Sequence, residues 1–240
     1  MPASTAPIRL TLASLLLLAA MPAFAGWTGK GEAGLAFASG NSDSRTANAR
    51  VAATHKDDGV EWNFGLGGLY VRSDGNTTAR RWEASTQARI DFYQRNFWYG
   101  GVRYEEDPFS GFHHQGLVTT GAGRRFFDDD RTRLLLQAGA GYKFLDPIGE
   151  PEGIKKHSFT GVASMEFNHR LTDTTTLIDR FAGEFTSSNN FLQNEVGVTV
   201  KMTDRVALSL AYHVRFNTDP PAGFEKVDTL TTVNLVYEVK

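Results

Sequence analysis

The chain of 240 residues contains no cysteine, which excludes disulfides, thiol nucleophiles and thiolate metal sites. The same absence suits a protein that crosses an oxidising compartment before it folds. There is no block of Lys or Arg, so nothing points to nucleic acid. Beyond the first 25 residues, no apolar run approaches the ~20 residues that a membrane-spanning helix needs. A helical membrane protein is excluded. A β-barrel is not, because its strands turn only alternate residues toward lipid.

The amino terminus reads as a secretion signal. Arg9 supplies a sparse positive charge, Leu10 to Ala20 is apolar, and Ala23-Phe24-Ala25 gives the small-x-small pattern of a cleavage site. An N-terminal membrane anchor is the alternative, but the apolar run is short for that. Cleavage after Ala25 leaves residues 26–240, which is 240 − 25 = 215 residues, read as one domain. Without Arg9 there are 24 basic and 27 acidic residues, a net charge of −3.

The rest of the chain alternates. From Val60 to Arg72, the residues Trp62, Phe64, Leu66 and Tyr70 share one face, while Glu61, Asn63, Gly65 and Gly67 share the other. Arg81–Phe92 and Val206–Phe216 repeat the pattern. A period of two over ten or more residues means strand, since side chains alternate across a sheet. Nine more segments complete a set of twelve: Trp27–Ala38, Arg45–His55, Phe97–Glu105, Gly116–Phe127, Arg133–Phe144, His157–Arg170, Thr176–Thr186, Phe191–Met202 and Lys226–Val239. These are far longer than ordinary globular strands of ~5–6 residues. They match the ~9–11 residues that a tilted strand needs to cross hydrocarbon. In Thr176–Thr186, Asp179 falls on the apolar face and is expected near the membrane edge.

The connections alternate in size. Short polar turns (Lys56–Gly59, Gln94–Asn96, Asp128–Thr132, Thr172–Thr175, Thr203–Asp204) are interleaved with mostly longer ones (Ser39–Ser44, Ser73–Thr78, Glu106–Gln115, Leu145–Lys156, Ser187–Asn190, Asn217–Glu225). Outer-membrane barrels have short periplasmic turns and longer outer loops. Aromatic residues near strand ends, among them Trp27, Tyr70, Trp82, Trp98, Tyr104, Tyr142 and Tyr237, fit two interfacial girdles. The expected fold is therefore all-β: a closed antiparallel up-and-down transmembrane β-barrel of about twelve strands, with the apolar face toward lipid. A soluble barrel with an apolar interior also alternates. The secretion signal, strand length and loop asymmetry favour the membrane.

At Gly40-Asn41-Ser42, at Arg103-Tyr104-Glu105-Glu106-Asp107-Pro108-Phe109-Ser110-Gly111, at Gly121 to Phe126 (GAGRRF) and at Gly139-Ala140-Gly141-Tyr142, the chain resembles the salt-induced outer-membrane protein family. The likeness spans nearly all of residues 26–240. It implies a bacterial outer-membrane barrel with a link to ionic stress, and it brings no catalytic residues with it. The chain ends Tyr237-Glu238-Val239-Lys240, where many such barrels end on an aromatic residue read by the assembly machinery.

Alternation puts Arg81, Glu83, Arg89, Asp91, Arg103, Glu105, Arg124, Lys143, Glu166, Glu195, Arg215 and Asp228 on the inner face. Charges of both signs there can line a narrow conducting pore for small ions or pair across strands and close the lumen. Twelve strands lie between the barrels that pack shut and those that leave an open channel. Both readings stand at this point. The leading expectation is a non-enzymatic barrel, porin-like or envelope-structural, located in the outer membrane. Its partners would be membrane lipid, lipopolysaccharide and the insertion machinery. No cofactor is implied.

The alternative is a lipid hydrolase or protease at the outer rim. Ser110 with His113 or His114 is its best candidate pair, since a nucleophile needs a base within hydrogen-bond reach. Glu105, Glu106 and Asp107, with Asp146, Glu150 and Glu152 of the next loop, form a candidate cation site, because hard cations take clustered oxygens. A solvated acidic loop is the plainer reading.

Overall fold

The computed structural model describes residues 26–38, 44–149 and 155–239. The expected signal segment, residues 1–25, lies outside the described residues. Twelve strands follow one another: β1 Trp27–Ala38, β2 Ser44–Asp57, β3 Val60–Ser73, β4 Asn76–Tyr93, β5 Asn96–Asp107, β6 Phe112–Asp128, β7 Thr132–Pro147, β8 His157–Arg170, β9 Thr175–Phe185, β10 Asn190–Lys201, β11 Val206–Asn217 and β12 Val227–Val239. Each pairs antiparallel with its sequence neighbours, and β1 closes onto β12. The result is a closed up-and-down barrel. The closing seam pairs Gly29–Ala33 of β1 with Leu235–Val239 of β12, and closure of the sheet is the condition for placing extended backbone in lipid.

Two turns show how short segments reverse the chain. Asp58 and Gly59 have φ of 41° and 80°, and Asp74 and Gly75 have 47° and 81°. Two consecutive residues of positive φ make the hairpin turn whose twist matches the flanking strands, and Asp-Gly is a preferred pair for it. The second turn corrects an expectation. The stretch Ser73–Thr78 is not a six-residue loop; β4 begins at Asn76. The two ends of the barrel are called here the turn end (Asp58–Gly59) and the loop end (the 108–111 and 218–226 connections). Pro108–Ser110 forms one 3-10 turn at the loop end.

Which side of each strand faces inward follows from contacts between non-adjacent strands. Arg89 on β4 bonds Glu166 on β8, and Arg50 on β2 bonds Glu195 on β10 at 3.0 Å. Such bonds can only cross the interior. Alternation then sends Trp62, Phe64, Leu66, Trp98, Val102, Val118, Tyr142, Phe159, Leu208, Leu210, Val233 and Leu235 outward, and all are exposed. Aromatics cluster at both ends of this outer surface. Trp27 stacks on Phe64 and Phe92 packs on Trp98 toward the turn end. Trp82 packs on Tyr104, and Tyr142 on Phe159, toward the loop end.

Asp179 departs from expectation. It sits mid-strand on the outer face of β9, opposite Phe167 and Val196, and not at an edge. The side-chain amide of Asn194 donates to its Oδ1 at 2.7 Å.

Candidate functional site

The interior is crossed by side chains at every level. At the loop end, Arg215 of β11 donates to Glu105 at 2.6 Å and to Asp107 at 2.9 Å, both on β5. Five strands lie between β5 and β11 in either direction around the barrel, so the two stand opposite one another. A circular cylinder of twelve strands, spaced ~4.8 Å and tilted ~45°, would be about 26 Å across. Two extended side chains and the bond between them reach about half of that. The section is therefore narrowed along the β5–β11 direction.

One level deeper, Glu184 of β9 takes Arg103 of β5 on one oxygen and Lys143 of β7, at 2.8 Å, on the other. The Phe191 ring fills the space between these ion pairs. Three cations ring it, with Arg215 at 4.9 Å, Lys143 at 5.4 Å and Arg103 at 5.8 Å from its centroid. An aromatic face attracts cations most when water is excluded, and Phe191 is buried. Charge pairs alone leave gaps between side chains; the ring plugs them. Above this layer the loops meet. A Cβ on Gly111, between β5 and β6, would lie 2.8 Å from Pro221, between β11 and β12. Connections from opposite sides of the barrel thus touch across the mouth.

At mid-depth the charges are less enclosed. Glu195 accepts from Arg50 at 3.0 Å and Arg180 at 2.6 Å, with His213 at 3.7 Å; Glu83 lies 3.6 Å from Arg50. These residues line a cavity of about 480 Å³ whose wall also includes Ser85, Gln87, Ser164 and Gln193. A second cavity of about 350 Å³ shares Gln87, Ser164, Glu166 and Gln193 with it. A third, of about 570 Å³, continues toward the turn end past Asn63, Arg89 and Glu166.

The turn end is constricted in the same style. Phe97 is fully buried and packs with Tyr99 and Leu135. Arg125 and Arg89 lie 4.9 Å and 5.6 Å from its centroid. Arg89 also holds Glu61 at 3.0 Å and bonds Glu166, while Arg125 bonds Asp91 at 2.7 Å. The facing strands make room with glycine. A Cβ on Gly123 would lie 2.3 Å from the Phe97 ring, and one on Gly139 would lie 2.7 Å from the Tyr99 hydroxyl and 2.1 Å from the Thr120 carbonyl. The repeated Gly-Ala-Gly at 121–123 and 139–141 is thus glycine inward, beneath two rings, and alanine outward.

Ten of the twelve sequence-selected charges enter this interior network. Arg81 lies 3.9 Å from Asp107, and Glu83, Arg89, Asp91, Arg103, Glu105, Lys143, Glu166, Glu195 and Arg215 make the pairs already given. Arg124 is a correction. Gly121 and Gly123 must face inward to seat the rings, so alternation turns Arg124 outward and Arg125 inward. Arg124 instead lies over Phe126, 5.8 Å from its centroid, near the turn end. That is the posture of a long cation reaching from an apolar surface toward water. Asp228 has inward parity but sits exposed at the loop-end rim and makes no ion pair among the described residues.

Several members escaped the sequence reading. Glu184 and Arg180 oppose the apolar face of β9, so alternation alone could have placed them. Asp107 could not be found that way, because it lies past the expected strand end. Phe97, Tyr99 and Phe191 are apolar residues inside a polar lumen, and no local signal distinguishes them from lipid-facing ones.

The rim pair considered for hydrolysis does not form. Ser110 is buried and donates to the Asp107 carbonyl at 2.8 Å, whereas His113 and His114 are both exposed and His114 bonds the Tyr104 hydroxyl at 2.7 Å. The acidic run does not converge either. Glu105 and Asp107 turn inward to Arg215, and Glu106 turns outward to accept from the Trp82 indole at 2.8 Å. Glu150 and Glu152 lie outside the described residues.

A family profile matches residues 31–239, nearly the whole barrel. The chain belongs to that family, described as Protein of unknown function, DUF481. Within reach of this family assignment is "Uncharacterized protein YdiY" of Escherichia coli (strain K12), 23% identical over 211 residues, covering 86% of this chain and 81% of the relative. Among solved structures, the NanC porin superposes with a TM-score of 0.53 at 7% identity, covering 89% of this chain and all of the porin. An outer-membrane channel from Pseudomonas putida F1 gives 0.49 at 10% identity, over 89% and 94% of the two chains. The porin likeness shows the fold, a closed β-barrel of the outer-membrane kind.

Proposed function

We propose that the protein spans the Gram-negative outer membrane as a narrow, normally closed channel for small ions, and that it is not an enzyme. The observation that carries this reading is the chord of ion pairs through the lumen, from Arg215 to Glu105 and Asp107 and from Arg103 through Glu184 to Lys143. A barrel serving only as an envelope strut gains little from buried ion pairs, since well-packed apolar residues of the same volume are often more stable. A charged lumen with cavities linked along its length is what ion passage requires. Closing groups held by electrostatics can separate without unfolding a strand.

The outer-membrane location is supported by the barrel topology, the outward apolar surface with aromatics at both ends, and the amino-terminal signal read from the sequence. The resemblance to salt-induced proteins adds an expectation that expression rises with salt, which measurement of transcript under osmotic load addresses.

Planar-bilayer recording of the refolded barrel tests the reading. The wild type is expected to be shut most of the time, with brief ion-sized steps. Arg103→Ala combined with Glu184→Gln removes one chord and leaves Lys143 facing a neutral amide in place of its carboxylate, and should lengthen the openings and shift the reversal potential. A silent wild type together with a silent double variant would make the barrel a structural one.

A further inference from the structure

Outside the lumen, three arginines share one patch of the outer surface. Arg81 points inward to Asp107, so Arg80 points outward. Arg50 points inward to Glu195, and five residues of unbroken alternation turn Arg45 outward. Glu61 points inward to Arg89, and eleven residues turn Arg72 outward. All three lie near the loop end of adjacent strands β2, β3 and β4.

Arg45 and Arg72 are direct register partners across the β2–β3 pair. Like charges placed opposite one another on a sheet repel. Arg80 is the register partner of Tyr70, whose hydroxyl bonds Thr77 at 3.1 Å, and Trp82 lies two residues on. The arginines therefore sit at and just beyond the aromatic belt, the level of lipid headgroups. Arg72 uses its Nε–H on the Gly75 carbonyl at 2.9 Å, which leaves its terminal N–H groups directed outward. Arg45 makes no ion pair among the described residues. The Arg80 side chain is 60% exposed, and its carboxylate neighbour, Glu106 Oε1, stands 3.8 Å away, with Oε2 accepting from Trp82. At the loop end, the outward positions of β5 to β12 carry no Arg or Lys among the described residues; they hold aromatic, apolar or acidic groups such as Tyr104, Glu106, Phe144, Asp146, Phe159 and Phe185. On outward strand positions the loop-end arginines are thus gathered on one side of the barrel, while Lys155, Lys156 and Lys226 lie in the connections beyond the strand ends.

We infer that Arg45, Arg72 and Arg80, above Tyr70 and Trp82, form a docking site for one phosphorylated glycolipid of the outer leaflet, its glucosamine phosphates bridging the arginines and its acyl chains lying on the apolar surface below. Guanidinium forks match phosphate oxygens two at a time. A bridging phosphate turns the Arg45–Arg72 repulsion into attraction. This inference rests on the reading that the loop end faces outward.

Native mass spectrometry of the refolded barrel tests it, with bis-phosphorylated lipid A, the same lipid after dephosphorylation, phosphatidylglycerol and inorganic phosphate as separate probes. A one-to-one lipid A adduct is expected. Dephosphorylation, or the triple variant Arg45→Gln/Arg72→Gln/Arg80→Gln, should weaken it about a hundredfold, from about fivefold per arginine. The triple variant changes exposed groups only, and its heat-modifiable gel shift reports that the barrel is intact. Equal lipid A binding by the triple variant overturns the site. Equal wild-type affinity for phosphatidylglycerol, or complete displacement of lipid A by inorganic phosphate, overturns the glycolipid assignment. Orientation is checked separately. The chain has no cysteine, so Gly223→Cys labelled by an impermeant maleimide on intact cells reports the loop end. Unlabelled Gly223→Cys with labelled Asp173→Cys would overturn the outward reading while leaving the in vitro binding result to stand or fall by itself.

Discussion

Asn48 on β2 donates a hydrogen bond to Asn234 on β12 at 2.8 Å, directly over the backbone of Gly34 on the strand between them. The bond exists because β1 offers no side chain there. A Cβ on Gly34 would lie 2.1 Å from the Asn234 side-chain oxygen, 2.6 Å from the Val233 carbonyl and 2.7 Å from the Asn48 oxygen. The contact staples the seam where the first and last strands close the barrel.

Gly34→Ala should therefore cost about 1–3 kcal/mol, since a side chain could move aside but the Val233 carbonyl cannot do so without shifting the seam. Urea unfolding in lipid vesicles, followed by tryptophan fluorescence, measures this. An Asn48→Ala variant should cost less than Gly34→Ala, because it removes the bond and leaves the backbone in place. The reverse order would show that the seam has slack.

Asp179 and Asn194 form a polar pair on the lipid-facing surface, and they respond in opposite ways. Asp179→Leu removes a carboxylate from hydrocarbon and should stabilise the barrel in vesicles by about 1 kcal/mol, acidic residues costing less there than basic ones. Asn194→Leu takes away the amide that satisfies the carboxylate and should destabilise by about 1–3 kcal/mol. The double variant should recover most of that loss. Two single variants of the same sign would contradict the pairing.

The turn at Asp128–Thr132 carries a pH response. The amide N–H groups of Thr132 and Arg131 donate to Asp129 Oδ1 at 2.8 Å and 2.9 Å, and they hold this carboxyl below the ordinary aspartate range. A carboxyl depressed in the folded state adds stability above its unfolded pKa of about 3.9 and loses it as pH falls through the folded value. Protection of the Arg131 and Thr132 amides, measured against the intrinsic exchange rate at each pH, should thus hold at neutral pH and fall only below about pH 4. Asp129→Asn keeps an acceptor without the titration and should flatten the profile. An unaltered profile would remove Asp129 from the turn's acid response.

The twelve strands, their approximate bounds and the barrel class could be read from the sequence, because a period of two is a local property that lipid on one face enforces on every long strand. The two-residue turn at Asp74–Gly75 was read as a longer loop because polar residues continue into β4 as far as Arg81. Inward charges could be picked by parity wherever parity was unambiguous. At the doublet Arg124-Arg125 it was not, since a shift of one residue exchanges the faces. The space needed by Phe97 and Tyr99 decides that choice, and those rings stand on another strand.

What only the tertiary structure decided is which charge meets which, and whether the lumen is shut. Arg215 and Glu105 are 110 residues apart in sequence and half a circumference apart in the barrel. Alternation states the face of a side chain but carries no information about the diameter it must span. Closure, register and the narrowing of the cross-section fix that distance, and they belong to the whole cylinder.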